Sequence, residues 1–293
     1  MSAPAQEESR MPEGRCLCGA LRFEADPPFQ FMVNCHCSMC RKHHGAAFAT
    51  FIAVPPAKFR WISGEANVGV YASSENASRA FCRVCGSVAP HLLPAIGQII
   101  IPAANLQGDL GVTPQLHIFA GSRAPWHEIT DELPRSEEYP PGFDAPAIDR
   151  PRVTPRAGVV EGGCLCGDVA YEIRGTPLHM WNCHCSRCRL GRSAAHASNV
   201  FYPLDAFRWT RGETQVVDFT LPEALRFGTA FCRRCGSGLP RVSAARGFVL
   251  VPAGSLDVDP GIRPSGHIFV GSKAEWYEIT GELPRYDELP PPG

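Results

Sequence analysis

The sequence predicts a mainly β protein made of two tandem copies of one domain. Three observations support this: a cysteine pattern that occurs twice, short segments of alternating apolar and polar residues, and abundant turn formers. The 28 Gly and 28 Pro follow no G-X-Y period, so they indicate many turns between short strands. A chain of 293 residues is also long enough for two domains.

Short strands are predicted at matching places in both copies. Leu21 and Phe23 alternate with Arg22 and Glu24, and residues 169–173 show the same period of two, which is typical of a half-buried strand. Residues 98–101 and 248–251 are apolar runs that end at proline, and their length favours buried strands over helices. Only the segments after the middle cysteines, such as residues 41–47, predict a helical turn or two.

The repeat covers nearly the whole chain. The cysteines of the two copies are Cys16, Cys18, Cys35, Cys37, Cys40, Cys82 and Cys85, then Cys164, Cys166, Cys183, Cys185, Cys188, Cys232 and Cys235. The first five pairs lie 148 positions apart and the last two lie 150 apart, which places a two-residue insertion between Glu213 and Cys232. This insertion is predicted to be a loop change. Residues 117–135 also match residues 267–285.

A period this long indicates duplication of a whole domain, because solenoid units are much shorter. We therefore predict a disordered leader over residues 1–13, a first domain over 14–138 and a second over 160–293. Residues 139–159 are rich in proline, which favours a semi-extended linker. Two independently folding units are expected.

Charge and hydropathy exclude several classes of protein. A formal charge of -1 and the absence of a basic arm argue against binding to nucleic acid or anionic membranes through bulk charge. The sequence shows neither a secretory signal nor an apolar run of 18 residues, so no membrane span is expected. This predicts a cytoplasmic protein. Cysteines stay reduced there, so they favour metal binding over disulfides.

Seven cysteines per copy divide naturally into four and three. A closed structural zinc site takes four ligands from two separated pairs, whereas a catalytic zinc keeps three protein ligands and one open position. The C-L-C-G and F-C-R-x-C-G pairs predict the closed site, and the compact C-x-C-x-x-C group predicts the open one. Spacing alone also allows Cys35 and Cys37 to complete the first cage. Zinc is favoured over an iron–sulfur cluster, and a four-thiolate iron site is the alternative.

The histidines and tryptophans near these motifs are assigned supporting roles. His36 and His184 lie between ligand cysteines, and since neighbouring residues point in different directions, we predict that they support the site without binding metal. His43 and His44 have no counterparts in the second copy and are predicted on the surface. The tryptophans predicted in the core are Trp61, Trp126, Trp209 and Trp276.

The motifs of the first copy resemble a known family. They are G-R-C-L-C-G-A-L-R-F-E, N-C-H-C-S-M-C-R-K-x-x-G with Val54-Pro55 downstream, and F-C-R-V-C-G-S. Both copies resemble the glutathione-dependent formaldehyde-activating enzyme family, also called the centromere-protein-V/GFA domain. The resemblance implies a β-sheet zinc fold with two zinc ions per domain, up to four per chain. It implies structural ligands Cys16, Cys18, Cys82, Cys85, Cys164, Cys166, Cys232 and Cys235. It implies catalytic-zinc ligands Cys35, Cys37, Cys40, Cys183, Cys185 and Cys188.

The resemblance also implies an activity. The family is named for the addition of glutathione to formaldehyde, which forms S-(hydroxymethyl)glutathione and is classed as carbon–sulfur lyase chemistry. The implied partners are therefore glutathione or a similar thiol, and formaldehyde or another small electrophile. A zinc ion with an open position suits this chemistry because it can hold a thiol sulfur as thiolate.

The copies differ beside the three-cysteine motif. Arg41 and Lys42 follow Cys40 and are predicted to meet the carboxylates of glutathione, while Gly45 would allow close approach of a peptide. Leu190 and Ser193 stand in the second copy at the places of Lys42 and Gly45. We therefore predict that the first copy carries the activity.

A non-catalytic zinc module is the alternative function. Such a module would bind a macromolecule or act as a sensor through its three exposed thiolates. Neutral charge makes nucleic acid an unfavourable partner for it. Nothing in the sequence predicts the oligomeric state.

Overall fold

The chain folds almost entirely into short strands, turns and 3-10 segments. The computed structural model describes residues 12–75, 77–142, 153–224 and 226–291, and within them it contains two α-helices. The first half contains β1 (Glu13–Arg15), β2 (Arg22–Ala25), β3 (Met32–Cys35), α1 (Ser38–His44), β4 (Ala49–Val54), β5 (Phe59–Ser63), β6 (Val68–Ser74), β7 (Ala77–Cys82), β8 (Val88–Ala89), β9 (His91–Leu93), β10 (Gln98–Pro102) and β11 (Leu116–Ile118).

The second half repeats this order and adds one short strand at its end. It contains β12 (Val160–Gly163), β13 (Ala170–Ile173), β14 (His179–Cys183), α2 (Ser186–Arg192), β15 (Ala197–Pro203), β16 (Phe207–Arg211), β17 (Val216–Thr220), β18 (Gly228–Cys232), β19 (Gly238–Leu239), β20 (Arg241–Ser243), β21 (Phe248–Pro252), β22 (His267–Ile268) and β23 (Arg285–Tyr286). The predicted mainly β fold in two tandem copies is confirmed.

Each half contains three sheets. The larger sheet has the order β11-β3-β4-β10-β9 in the first half and β20-β21-β15-β14-β22-β23 in the second. The smaller sheets are β1-β2-β5 and β6-β7-β8, and their counterparts are β12-β13-β16 and β17-β18-β19. In the larger sheet β11 pairs in parallel with β3 and places Ile118 opposite Cys35. This pairing holds the repeated HIF motif, His117-Ile118-Phe119 in the first half, against the middle cysteines.

The predicted strands are found, and the helix begins earlier than predicted. Leu21 and Phe23 are buried at the start of the chain, and residues 98–101 and 248–251 lie in β10 and β21. Helix α1 begins at Ser38 because the Sγ of Cys37 accepts the backbone N–H of Cys40 and so caps the first turn. Cysteine is an unusual capping residue, so the usual start signals did not reveal this boundary.

The predicted insertion lies in a hairpin of the second half. In the first half, regular strand pairing in this hairpin ends at Ala72 opposite Ser78. One further pair joins Ser74 and Ala77. In the second half the pairing ends at Thr220 opposite Gly228. Residues 221–227 therefore replace residues 73–77, which gives the second hairpin its two extra residues.

The domain boundaries are only partly within the described residues. Strand β1 begins at Glu13, inside the stretch predicted as a leader, and Glu13 pairs with Glu24. The rest of the predicted leader, residues 1–11, and residues 143–152 of the predicted linker lie outside the described residues. Within the described part of the chain, no helix is long and apolar enough to span a membrane.

The two halves share one apolar core. The largest cluster of buried apolar residues includes Phe48 and Ala104 from the first half, and Tyr202 and Val251 from the second. Among the predicted core tryptophans, Trp126 and Trp276 are buried in this cluster, while Trp61 and Trp209 are partly buried against it. The interior is therefore continuous across the repeat.

Equivalent residues of the two halves meet across the interface. The rings of Phe81 and Phe231 lie with their centroids 6.3 Å apart, and the hydroxyls of Thr130 and Thr280 share a hydrogen bond. Contacts between residues at matching places indicate an approximate twofold relation between the halves.

The prediction that His43 and His44 lie on the surface is wrong, because both are only 1% exposed. The ring of His44 donates from Nδ1 to the carbonyl oxygens of Arg192 and Ser193, at 2.9 and 3.0 Å. His43 lies next to the carbonyl oxygen of Ala80, at 3.3 Å. His44 is thus used between the two halves, while His43 is buried against its own half.

An isolated half should not remain a stable monomer. Expressing residues 12–142 alone would expose the apolar side chains that the second half covers, and a large exposed apolar surface drives association. We expect this fragment to self-associate or aggregate, whereas the full chain with a protease-cut linker should stay together. Size-exclusion chromatography with light scattering measures both. A well-folded monomeric fragment would instead support the independent units expected from the linker composition.

Candidate metal centres and active site

The outer cysteine pairs of the first half come together at two facing turns. Cys16 and Cys18 lie on the turn after β1, Cys82 ends β7 and Cys85 lies on the turn that follows. Their four Sγ atoms lie within 4.8 Å of one another, with 3.5 Å between Cys16 and Cys18 and 3.8 Å between Cys18 and Cys82. The structure therefore brings together the four residues predicted for the closed site.

The second half repeats this four-cysteine cluster. The Sγ atoms of Cys164 and Cys166 are 3.4 Å apart, and those of Cys166 and Cys232 are 3.7 Å apart. Cys235 completes the set within 4.8 Å. The structure does not show the alternative grouping, in which Cys35 and Cys37 would join Cys16 and Cys18.

These distances fit a tetrahedral thiolate metal site. Zinc–sulfur bonds of about 2.3 Å in a tetrahedron place the sulfurs about 3.8 Å from one another. A disulfide would need about 2.0 Å, and all fourteen cysteines are free. The backbone N–H of Leu21 also donates to the Sγ of Cys16 at 3.3 Å, a contact that stabilises a thiolate. The donor set and its geometry thus fit zinc.

The middle cysteines form a separate cluster of three in each half. Cys35 ends β3, Cys37 caps α1 and Cys40 lies in the first turn of α1. The end of the strand and the start of the helix therefore bring three Sγ atoms together. The counterparts in the second half are Cys183, Cys185 and Cys188. Three thiolates from one short turn leave a fourth metal position for a ligand.

A buried arginine adjoins the first three-cysteine cluster and has no counterpart in the second. Arg79 donates from Nη1 to the Sγ of Cys40 at 3.5 Å. Burial disfavours its charge, but the thiolates of Cys40 and Cys37 outweigh burial and raise the pKa of Arg79. Thr229 stands at the equivalent place and donates instead to the carbonyl oxygen of Cys85. The sequence signal for this difference was the residue two positions before the F-C-R-x-C motif.

His36 supports the first cluster through a chain of hydrogen bonds. Its Nε2 lies 2.7 Å from Nδ1 of His117, and His117 donates from Nε2 to Asp131 at 3.0 Å. Burial lowers the pKa of His36 to about 3, so the ring is neutral at pH 7. Sequence analysis missed His117 and Asp131, although His117 belongs to the repeated HIF motif.

The same chain is shorter in the second half. His184 Nε2 lies 2.8 Å from Nδ1 of His267, but Gly281 stands where the first half has Asp131. Burial lowers the pKa of His184 to about 2, so it too is neutral. Neither His36 nor His184 lies within the cysteine groups that could hold a metal in the described residues. This agrees with a supporting role for both rings.

The residues predicted to bind glutathione have other contacts in the structure. Arg41 donates from Nε to the carbonyl oxygen of His36 at 3.3 Å. Lys42 Nζ forms a 2.8 Å ion pair with Asp257 and donates to the carbonyl oxygen of Gly163 at 2.9 Å. Gly45 ends α1 with a φ of 63°, and a Cβ there would lie 3.0 Å from Pro252. Lys42 and Gly45 therefore join the two halves, and their roles toward substrate stay predictions.

The contacts of Lys42 predict a structural effect. Lys42→Ala should lower the free energy of unfolding by about 2 kcal/mol, because Asp257, whose side chain is 25% exposed, would lose its ion-pair partner and the carbonyl oxygens of Gly163 and Ser255 would lose a donor. Urea unfolding of the metal-loaded chain measures this. Lys273→Ala, which removes an exposed lysine, should change stability by less than about 0.5 kcal/mol. Unchanged stability with a raised KM for glutathione would assign Lys42 to substrate binding instead.

A large cavity lies over the three-cysteine cluster of the second half. Its volume is about 1140 Å³, and Cys183, Cys185 and Cys188 line it together with Arg192 and Trp181. In the first half Cys40 is only 5% exposed, whereas its counterpart Cys188 is partly exposed. The second cluster thus opens into a space large enough for an organic substrate.

Comparison with known proteins agrees with this geometry. The family model described as "Glutathione-dependent formaldehyde-activating enzyme" matches residues 11–122 and 159–272, which is more than half of the chain. The chain belongs to this family.

Individual relatives match one copy or part of one. An uncharacterized lyase of Schizosaccharomyces pombe is 37% identical over 75 residues, which cover 26% of this chain and 53% of that protein. A Halomonas elongata protein named "Putative glutathione-dependent formaldehyde-activating enzyme" is 28% identical over 125 residues, covering 40% of this chain and 80% of that protein. A crystal structure of a Rhodobacter sphaeroides protein, 27% identical, covers 35% of this chain and 97% of its own length, with a TM-score of 0.30. The chain thus spans about half the length of the first of these relatives.

Proposed function

We propose that the chain is a zinc-dependent carbon–sulfur lyase-type enzyme that forms and cleaves the adduct of a thiol with formaldehyde or another small carbonyl. The observation that carries the proposal is the open three-cysteine cluster of the second half, which lines a cavity of about 1140 Å³. The family described above and the named relatives support the reaction class. Glutathione or a similar thiol is the co-substrate.

The reaction joins the thiol sulfur to the carbonyl carbon. The carbon–oxygen double bond becomes a single bond, the thiol proton is released, and the new hydroxyl oxygen takes up one proton. Zinc held by Cys183, Cys185 and Cys188 would favour the thiolate form of a bound thiol. The buried guanidinium of Arg192 lines the same cavity and adds positive charge beside the thiolates.

The first three-cysteine cluster has a different environment and a separate proposed role. Cys35, Cys37 and Cys40 keep the geometry for a metal, and Arg79 compensates part of their negative charge. A guanidinium bonded to a ligand sulfur lowers the charge that the sulfur donates to a metal. We therefore assign turnover of the thiol–carbonyl adduct to the second cluster. Activity at the first cluster stays a prediction.

An exchange experiment tests the proposed function. The metal-loaded full chain is mixed with pairs of thiols and small carbonyls, and NMR exchange spectroscopy measures how fast adduct and free thiol interconvert. Acceleration above the spontaneous rate for at least one pair is expected, and it should disappear after chelation of the metal. Binding of thiols without acceleration of any pair would support the non-catalytic module.

A further inference from the structure

Apart from the cysteine sulfurs, the charged side chains around the second-half cavity are all positive. Five arginines and no aspartate or glutamate occur among the residues that line it. The lining arginines are Arg187, Arg192, Arg226, Arg241 and Arg246. A cavity walled in this way concentrates anions, because low-dielectric walls strengthen the field of fixed charges.

Most of this positive charge is not neutralised by the protein. Arg187 and Arg226 are exposed, and within the described residues neither has a hydrogen-bond or ion-pair partner. Arg246 lies over the ring of Phe248 at 4.9 Å and bonds the hydroxyl of Ser243. Arg241 is 3.9 Å from Asp218, a side chain that is itself 67% exposed. At least three guanidinium groups are thus available to a ligand.

The basic lining is not a general property of this fold. At the places of Arg187, Arg241 and Arg246 the first half has Met39, His91 and Ile96. Arg226 belongs to the longer hairpin, residues 221–227, which the first half lacks. Since the repeat supplies an internal reference, the arginines mark a ligand preference of the second half.

Aromatic side chains form the apolar part of the wall. The lining aromatic residues are Trp181, Phe201, Phe227, Phe248 and Phe269. Phe227 also comes from the longer hairpin. Such rings suit a planar group by stacking, and arginine beside them suits phosphate. The volume of about 1140 Å³ exceeds the roughly 300 to 1,000 Å³ of common ligand pockets.

We propose that the second-half cavity binds a multiply phosphorylated thiol that carries an aromatic base, in preference to glutathione. The arginines would hold the phosphates, the aromatic wall would hold the base, and the thiol would reach the cluster of Cys183, Cys185 and Cys188. Glutathione carries an ammonium group, and no lining carboxylate would receive it. The thiol part of this proposal rests on the proposed function, whereas the preference for phosphate rests on the arginines.

Binding measurements test the proposal separately from turnover. Coenzyme A serves as the probe, pantetheine supplies the same thiol arm without its nucleotide, and glutathione is the competitor. Calorimetry on the metal-loaded full chain should show coenzyme A binding at least tenfold more tightly than either of the other two. Its affinity should fall as salt is raised. Equal or tighter binding of glutathione would overturn the proposal.

Variants locate the binding. Arg226→Ala should weaken coenzyme A binding about tenfold, because it removes one charge-assisted hydrogen bond to phosphate, and Arg187→Ala should act similarly. Arg233→Ala removes an exposed arginine that does not line the cavity and should leave affinity unchanged. Equal effects of Arg233→Ala and Arg226→Ala would show nonspecific attraction and contradict the proposal. Thiol–carbonyl exchange with no preference for coenzyme A would leave the enzyme function intact.

Discussion

Cys185→Ala is expected to reduce the metal-dependent acceleration of thiol–carbonyl exchange at least about 100-fold. Cys185 caps α2 and is one of three sulfurs that line the cavity. Loss of one ligand from an open three-ligand site removes both the metal affinity and the position that holds the thiolate. The change is measured by exchange NMR on the metal-loaded variant with the thiol and carbonyl that the wild-type chain uses.

Cys37→Ala is the matched control, since it makes the same change at the equivalent place in the first half. It should retain most of the exchange rate, because Cys37 belongs to the cluster whose negative charge Arg79 partly compensates and in which Cys40 is buried. Loss of activity in Cys37→Ala alone would return the reaction to the first half, as Arg41, Lys42 and Gly45 predicted. An unchanged rate in both variants would remove the three-cysteine clusters from the reaction.

Cys82→Ser is expected to prevent folding of the chain. Binding of a structural zinc provides roughly 10 to 16 kcal/mol in small domains, which is as large as the usual total stability of about 5 to 15 kcal/mol. Circular dichroism and the yield of soluble protein measure the loss. Chelation strong enough to strip the closed sites should have the same effect on the wild-type chain.

The loss should extend into the second half. Leu190, Leu221 and Ala224 of the second half are buried against the cluster of Cys16, Cys82 and their neighbours. Cys40→Ser, which changes the open cluster, should leave the protein folded. Equal loss of structure in Cys40→Ser would show that all seven cysteines of a half serve the fold.

Particular residues show why the site was only partly predictable. The ligand clusters followed from cysteine spacing, because a short turn limits how far two thiolates can separate. Arg79, His117 and Asp131 are distant in sequence from Cys35 and Cys37. Pairing of β11 with β3 brings His117 near, and tertiary packing brings Arg79 and Asp131 near. His43 and His44 looked like surface residues because their partners, Ala80 and Arg192, lie on other elements.

The surroundings of the residues that differ between the halves could not be predicted for a similar reason. Comparison of the copies correctly located the differences at Lys42, Gly45 and the longer hairpin, but not their consequences. The Nζ of Lys42 faces Asp257 in the other half, while the extra hairpin residues bring Arg226 and Phe227 to the cavity. The effect of a substitution depends on which side chains the changed residue contacts, and the sequence alone does not identify them.

The sequence by itself determined the family, the mainly β fold and the duplication, because these depend on motifs, local spacing and periodicity. Spacing favoured the division of the cysteines into four and three, and the structure decided it. The tertiary structure alone decided that the halves share a core, that α1 lies between them and that one cluster opens into a basic cavity. The shared core and the place of α1 depend on contacts between the halves, some of them between residues 150 positions apart, such as Phe81 with Phe231 and Thr130 with Thr280. The cavity depends on how distant segments of the second half pack together. Such contacts arise only when two similar surfaces bury their apolar side chains against each other.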